Sequence, residues 1–180
     1  MLDITTANWL LAIGTVLLNI GALKILIALS IDGWFSRLVR EKIDQYGLWL
    51  AFILSLVGSA MTLYYSEILL VDPCGLCWLQ RVFLYPQVVL FAVALYTKDK
   101  GVALYSIFLS LVGALIALYH HYLQMGGVDL FPCPAVMETI DCADKTFLLF
   151  GYITFPFASL SLFVVLLLIM YSIRQGRVIH

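Results

Sequence analysis

The chain alternates between long apolar segments and short polar connections. Five segments hold about twenty mostly apolar residues each, at residues 9–30, 47–70, 78–96, 102–122 and 147–171. A helix needs roughly 20 such residues to cross about 30 Å of hydrocarbon. Because lipid offers no hydrogen bonds to an open backbone, the pattern predicts an all-α fold, an integral membrane bundle of five transmembrane helices.

Composition supports this prediction. Hydrophobic residues make up 63% of the 180 residues and charged residues 12%, and the mean hydropathy is +1.03. Soluble domains carry about 25% charged residues. The chain also lacks a basic patch interleaved with aromatic residues, so we expect the lipid bilayer as its surroundings and no nucleic acid partner.

Charge placement predicts how the helices are oriented. Basic residues gather in three segments that a five-span chain places on one side: Arg37, Arg40, Lys42, Lys98, Lys100, Arg174 and Arg177. Short loops rich in Lys and Arg face the cytoplasm. The C-terminus is therefore expected in the cytoplasm. The N-terminus, the connection 71–77 and the long loop 123–146 are expected outside.

All four cysteines fall on this outer side, where disulfides form and persist. Cys74 and Cys77 form a CxxC motif at the start of the third span, where backbone N–H groups stabilise a thiolate. This favours redox chemistry, with a structural disulfide and a zinc site as alternatives. A four-cysteine zinc site would use both pairs. The second pair, Cys133 and Cys142, lacks the usual close spacing, so no metal is predicted.

The second pair lies in the long outer loop. Eight residues separate Cys133 from Cys142, and a loop of this length can fold back over the bilayer surface to reach the CxxC motif. An electron relay requires a second exchangeable pair, because one pair meets a soluble protein and the other meets a membrane acceptor. Thiol–disulfide exchange passes electrons between such pairs through mixed disulfides.

Two further polar residues are candidates for the site. Arg81 lies one turn after Cys77 within an apolar segment, where an arginine is expensive unless it reaches the interface or a partner. It is either an interfacial anchor or a group that favours the Cys77 thiolate and donates to a quinone carbonyl. His120 and His121 end the fourth span, and at most one faces the bundle. The alternatives are an interfacial histidine and a proton donor to a reduced quinone.

These motifs resemble a known family. The segment P-C-G-L-C-W-L-Q-R at residues 73–81, followed by Y-P-Q at residues 85–87, resembles the signature of the disulfide bond formation protein B (DsbB) family, nearest its Gram-positive, BdbC-like branch. Residues 150–157 of the last span are also similar. His120 matches the family's histidine by its spacing to Gln124. The resemblance covers about residues 47–171.

The resemblance implies a four-helix core that binds a quinone, either ubiquinone or menaquinone. Such a protein is a quinone-dependent, protein-disulfide-forming oxidoreductase of the bacterial cytoplasmic membrane. It reoxidises an extracytoplasmic thioredoxin-fold dithiol oxidase of the DsbA type and passes the electrons to the membrane quinone pool. Disulfide bond formation in exported proteins depends on this reoxidation.

Individual roles are implied by position. Cys133 would receive the attack of the partner's reduced thiol, and Cys142 would resolve toward the membrane pair. Cys74 would exchange with that second pair. Cys77 would reduce the quinone beside Arg81, and the family's histidine would lie near the quinone as well.

The chain departs from the family pattern at its start. The family core has four spans with both termini in the cytoplasm, whereas this chain has one more. We therefore expect residues 1–46 to form an additional N-terminal transmembrane helix with a basic cytoplasmic loop, and residues 47–180 to form the DsbB-like core. The added helix is expected to cover the bundle, to dimerise or to dock a partner.

Three other interpretations compete with this one. The vitamin K epoxide reductase family has similar chemistry, but there the CxxC motif follows the loop pair instead of preceding it. A non-enzymatic membrane scaffold would use its two disulfides only to stiffen outer loops. A metal-binding membrane protein is the third.

Overall fold

The computed structural model describes residues 3–130, 133, 141–145 and 147–178. Its helices are α1 (Ile4–Ser30), α2 (Trp34–Leu63), α3 (Gly75–Thr97), α4 (Val102–Gln124) and α5 (Phe155–Val178). A π-helical turn, Tyr64–Ile68, extends α2. The described residues form no strand, and all five helices are long and apolar enough to cross a membrane. The predicted all-α membrane bundle is confirmed.

The connection between the first two helices is much shorter than the sequence pattern predicts. Residues 31–46 were expected as a basic loop, yet α2 begins at Trp34. Charged residues such as Arg, Lys and Glu are good helix formers, so the helix continues past its apolar part. Arg40 Nε donates to Ala28 O at 2.9 Å, which satisfies a carbonyl at the end of α1.

The last helix begins later than the apolar pattern predicts. The fifth span was expected from residue 147, but α5 begins at Phe155. Leu149 and Ile153 exchange backbone hydrogen bonds of 3.0 and 2.9 Å across a tight turn. Gly151 in that turn has φ +77°, a left-handed conformation that suits glycine. Residues 147–153 therefore fold across the end of the bundle.

The core of the bundle lies along α5, which packs against α1, α2 and α4. Its fully buried side chains include Phe163, Leu166, Ile169 and Met170. Lipid is as apolar as these side chains, so helices in a membrane associate through close packing at small residues. Gly113 of α4 is such a residue, because a Cβ there would lie 2.5 Å from the Phe163 ring.

Helix α1 packs directly on the rest of the bundle. The Tyr65 hydroxyl donates to Asn8 Oδ1 at 2.7 Å, and Asn19 Nδ2 donates to Ser161 Oγ at 3.0 Å. Polar side chains often join helices in this way in a membrane. Among the roles considered for the added helix, the structure shows it covering one side of α2 and α5.

The two ends of the bundle differ in chemistry. At one end, Lys100 in the turn between α3 and α4 forms an ion pair with Asp44 of α2. The CxxC motif lies at the opposite end of α3, together with Cys133 and Cys142. The side of the membrane that each end faces stays a prediction from the positive-inside rule.

Candidate active site

The CxxC motif occupies the start of α3. Cys74 is the N-cap residue with extended backbone, and the helix begins at Gly75, so Cys77 lies in the first turn. The two Sγ atoms are 3.1 Å apart and both cysteines are free thiols. The backbone therefore holds the two thiols close enough to form a disulfide after little movement.

A buried histidine connects this dithiol to the second cysteine pair. His120 is completely buried, with Nε2 3.6 Å from Cys74 Sγ and 3.1 Å from Cys142 O. Its Nδ1 lies 2.9 Å from Gln80 Nε2. A carbonyl oxygen only accepts, so Nε2 carries the hydrogen and Nδ1 accepts from the Gln80 amide. The Nε2–H group is thus directed at Cys142 and Cys74.

These contacts favour a thiolate at Cys74, which precedes α3. The hydrogen bond with the Cys77 thiol is the largest cause, and His120 adds to it. Against the opposing effect of burial, they lower the pKa of Cys74 from 9.0 to about 4. From the sequence, Arg81 was a candidate to favour a thiolate at Cys77. The hydrogen bonds from the Cys77 thiol and His120 favour a thiolate at Cys74 instead. The geometry therefore favours the thiolate form of Cys74, which is the reactive form of a cysteine.

This arrangement predicts the pH dependence of the thiolate. Because the pKa of Cys74 is lowered, its thiolate should persist as the pH falls and protonate only near pH 4. The ultraviolet absorbance of reduced protein, titrated against pH, should show this transition, and Cys74→Ser should lack it. A thiolate transition at the ordinary value of 9.0 would contradict the prediction.

The second cysteine pair forms a disulfide beside the first pair. Cys133 and Cys142 are bonded, with their Cα atoms 6.0 Å apart. Cys142 is 1% exposed and packs in one cluster with Cys74, Leu76 and Leu123. Cys133 is only half-buried. One sulfur of this pair is thus buried toward the membrane dithiol and the other is more accessible. Residues 134–140 lie outside the described part of the chain.

A cavity of about 110 Å³ lies beside the dithiol, between α2, α3, α5 and the outer connections, which contribute Asp72, Asp141 and Asp144 to its wall. Its polar wall includes Cys74, Cys77, Gln80, Arg81 and Gln124. Its apolar wall includes Leu84, Phe155, Leu162 and Phe163. The dithiol therefore borders both the loop disulfide and this cavity.

Arg81 forms part of this wall without an ion-pair partner among the described residues. It is 7% exposed, so it is buried and does not act as an interfacial anchor. One of its terminal N–H groups donates to Thr62 O at 2.9 Å, and its guanidinium lies 5.1 Å from the centre of the Trp78 ring. A guanidinium has five N–H donors. Donors beyond the Thr62 contact are available to a ligand in the cavity.

The cavity suits a quinone head group. Gln124 Oε1 is buried and has no hydrogen-bond partner among the described residues, and buried polar groups are nearly always paired. Its residue lines the cavity opposite apolar side chains. A quinone offers carbonyl oxygens to the Arg81 donors and a flat apolar ring to the cavity walls. The Arg81 donors therefore fit the quinone, whereas the unpaired Gln124 oxygen can accept a hydrogen bond only from the hydroxyl-bearing reduced form.

Comparison with known proteins identifies the family. The family model described as "Disulfide bond formation protein DsbB" matches residues 44–173. The chain belongs to the DsbB family. It is 35% identical over 139 residues to "Probable disulfide formation protein C 1" of Bacillus anthracis. The aligned region covers 77% of this chain and 99% of that protein. The resemblance to the family and to its Gram-positive branch is confirmed.

A relative from outside the genus Bacillus is similar to this chain as well. A "Probable disulfide formation protein" of Chlamydia trachomatis is 42% identical over 124 residues, covering 68% of this chain and 88% of that protein. No solved structure matches the chain significantly. The chain is therefore a multi-pass membrane oxidoreductase of disulfide bond formation, of the DsbB type. Helix α1 lies outside the part that the DsbB model matches.

The structure places the six predicted site residues in one region, but not all in the predicted way. Cys74, Cys77 and Arg81 line the cavity, and Cys133 and Cys142 lie beside the dithiol. His120 is not among the residues that line the cavity and contacts Cys74 instead. The geometry gives no support to the role expected for this histidine at the quinone.

Three polar residues of the site had no role predicted from the sequence: Gln80, Thr62 and the side chain of Gln124. Gln80 orients the histidine, and Thr62 O accepts from Arg81. The available signal was their polarity within apolar helices, since a polar residue inside a membrane usually has a partner or a function. The partners of Gln80 and Thr62 are on other helices and that of Gln124 is Asp144 O in the outer loop, so the sequence alone could not name them.

The four-cysteine zinc site considered from the sequence is not formed, because Cys133 and Cys142 bond to each other. Ligand atoms of Cys74, Cys77 and His120 do lie within 4.8 Å of one another. Zinc accepts such sulfur and nitrogen ligands. Formation of the Cys74–Cys77 disulfide would remove two of these three ligands.

Proposed function

We propose that this protein oxidises a DsbA-like, thioredoxin-fold dithiol protein outside the cytoplasm and passes the electrons to a membrane quinone. The observation that carries the proposal is the position of the CxxC dithiol. It borders both a loop disulfide, with which it shares contacts to His120, and a cavity whose wall includes Arg81. The four cysteines face the extracytoplasmic side of the bacterial cytoplasmic membrane, as the positive-inside rule predicts.

The first step takes place at the loop disulfide. A thiolate of the reduced partner attacks Cys133, and Cys142 leaves as a thiolate. The partner's second thiol then resolves the mixed disulfide. The partner becomes a disulfide, and its two electrons and two protons pass to Cys133 and Cys142. The greater exposure of Cys133 than of Cys142 supports this choice of target.

The second step passes these electrons to the membrane pair. Cys142 gives up its proton and attacks Cys74 of a Cys74–Cys77 disulfide, and Cys77 leaves near Arg81 and takes up that proton to become a thiol. Cys133 then attacks Cys142 and releases Cys74 as a thiolate, which His120 Nε2–H and the Cys77 thiol stabilise. The products are a loop disulfide and a membrane dithiol. The structure has this combination of a Cys133–Cys142 bond and two free thiols.

The third step returns the membrane pair to its oxidised state. A bound quinone, ubiquinone or menaquinone, supplies the acceptor for two electrons and two protons. Arg81 orients the acceptor by donating hydrogen bonds from a buried, fixed guanidinium. As their disulfide forms, Cys74 and Cys77 lose two electrons and the proton of the Cys77 thiol, and the second proton comes from solvent, to which Cys133 released its proton in the second step. Gln124 Oε1 provides an acceptor in the same wall.

Quinone reduction by the purified protein tests the proposal. With a reduced DsbA-type protein as donor, wild type should reduce quinone, followed by ultraviolet absorbance, and Cys77→Ser should lower turnover to background. Serine cannot form the disulfide that carries the electrons. The absence of turnover in wild type, with several quinones and donors, would contradict the proposal and favour two structural disulfides.

A further inference from the structure

A second, larger cavity lies between α1, α2 and α5. Its volume is about 460 Å³, within the range of about 300–1,000 Å³ that is common for ligand pockets. The wall is almost wholly apolar, with side chains such as Leu18, Ile25, Leu54 and Val165. Along α1 the wall reaches from residue 10 to residue 25, a length of about 22 Å at about 1.5 Å per residue.

This cavity adjoins the polar cavity beside the dithiol. Six residues line both: Thr62, Tyr65, Leu84, Phe155, Ser159 and Leu162. The larger cavity also meets the outer surface of the bundle, because Leu17 and Val57 on its wall are 62% and 54% exposed. The two adjoining cavities therefore lie in succession between the exposed surface of the bundle and the wall that contains Arg81.

Helix α1 leaves space in the larger cavity because two of its lining residues have no side chain. Gly14 and Gly21 lie seven residues apart on one face, and both line the cavity. A Cβ added at either position would meet nothing within 4 Å. Gly58, on the α2 wall, differs, because a Cβ there would lie 2.5 Å from Leu162. The glycines of α1 thus leave space, whereas Gly58 permits close packing.

We propose that α1 forms the outer wall of a channel for the polyprenyl chain of the quinone. The proposal rests on the proposed function and extends it to an element outside the region that the DsbB model matches. The occupant must combine a long apolar chain with a compact polar head, since the apolar groove adjoins a small cavity with the Arg81 donors. A polyprenyl quinone has this form, whereas the charged head of a phospholipid belongs at the membrane surface.

The double variant Gly14→Leu/Gly21→Leu tests the channel. Leucine fills the space at both positions and raises helix propensity, so α1 should still form. The matched control is Val16→Leu, which adds bulk on the same helix at a residue that lines neither cavity. We would compare menaquinone, which carries the chain, with menadione, a related ring without it. A ubiquinone and its chain-free analogue would form the same comparison for that head group.

Two measurements are needed. The first is the amount of chain-bearing quinone that purified protein retains after gel filtration, determined by solvent extraction and chromatography. The second is KM for each quinone. The double variant should retain several-fold less quinone than wild type, and its KM should rise several-fold for the chain-bearing quinone alone. Val16→Leu should match wild type in both measurements.

The outcomes separate this proposal from the proposed function. An equal rise in KM for both quinones would show a disturbed head site and overturn the channel. Unchanged retention and KM would also overturn it, and would assign the groove to bilayer lipid. Failure of wild type to reduce any quinone would instead contradict the proposed function itself.

Discussion

Replacing Cys133 by serine is expected to reduce oxidation of the soluble partner to the background rate while leaving the Cys74–Cys77 disulfide formable by added quinone. Cys133 is the more exposed sulfur of the loop pair, and a hydroxyl cannot form the mixed disulfide. The membrane pair keeps both thiols and its cavity. Stopped-flow oxidation of the partner and thiol trapping of the membrane pair would measure the two effects.

The control for this experiment is the double variant Cys133→Ser/Cys142→Ser. In the single variant, Cys142 is an unpaired thiol packed near Cys74, so the two could form a disulfide of their own. The double variant removes that reaction. Retained oxidation of the partner in either variant, or loss of the Cys74–Cys77 disulfide in the double variant, would contradict the division of labour between the pairs.

Replacing Arg81 by alanine should raise KM for the quinone by about 10- to 100-fold. A hydrogen bond to a charged group contributes roughly 1.5–3 kcal/mol, and each 1.4 kcal/mol is about a factor of ten in affinity. The rate of thiol exchange with the soluble partner should change little, since Arg81 lines the cavity and the partner meets the loop pair. Steady-state quinone kinetics and single-turnover exchange without quinone separate the two effects.

Arg81→Lys is the matched variant for charge. Lysine keeps the positive charge but loses the planar fork and its contact with the Trp78 ring. Its KM for the quinone should fall between those of wild type and Arg81→Ala. Equal effects on quinone reduction and on partner exchange would contradict the assignment and indicate a general loss of structure around α3.

The hydrophobic pattern determined the class of fold because only helices and closed barrels can span a bilayer. Twenty apolar residues in succession form a spanning helix whatever their neighbours are. The two boundaries that were wrong lie outside this rule. Residues 34–46, a segment with several charged side chains, form the first part of α2. The mostly apolar residues 147–154 form a turn. In both cases local backbone geometry decided the structure, and hydropathy does not encode it.

The chemistry of the site was only partly accessible from the sequence. Cys74, Cys77 and Arg81 lie within two turns of one helix, so spacing alone predicted that they share a region. His120 comes from another helix, and its side chain was expected at the quinone. The structure places it between Cys74 and Cys142 O, oriented by Gln80. Contacts between helices depend on how they pack, which no motif records.

By itself, therefore, the sequence determined the membrane bundle, the DsbB family and the six candidate residues, because these depend on local runs and short spacings. Tertiary structure alone decided which thiol gains the stabilising hydrogen bonds and where α1 lies. It also decided that the cavity beside Arg81 adjoins an apolar groove. These features arise from side chains far apart in sequence, and only the packed bundle brings them into contact.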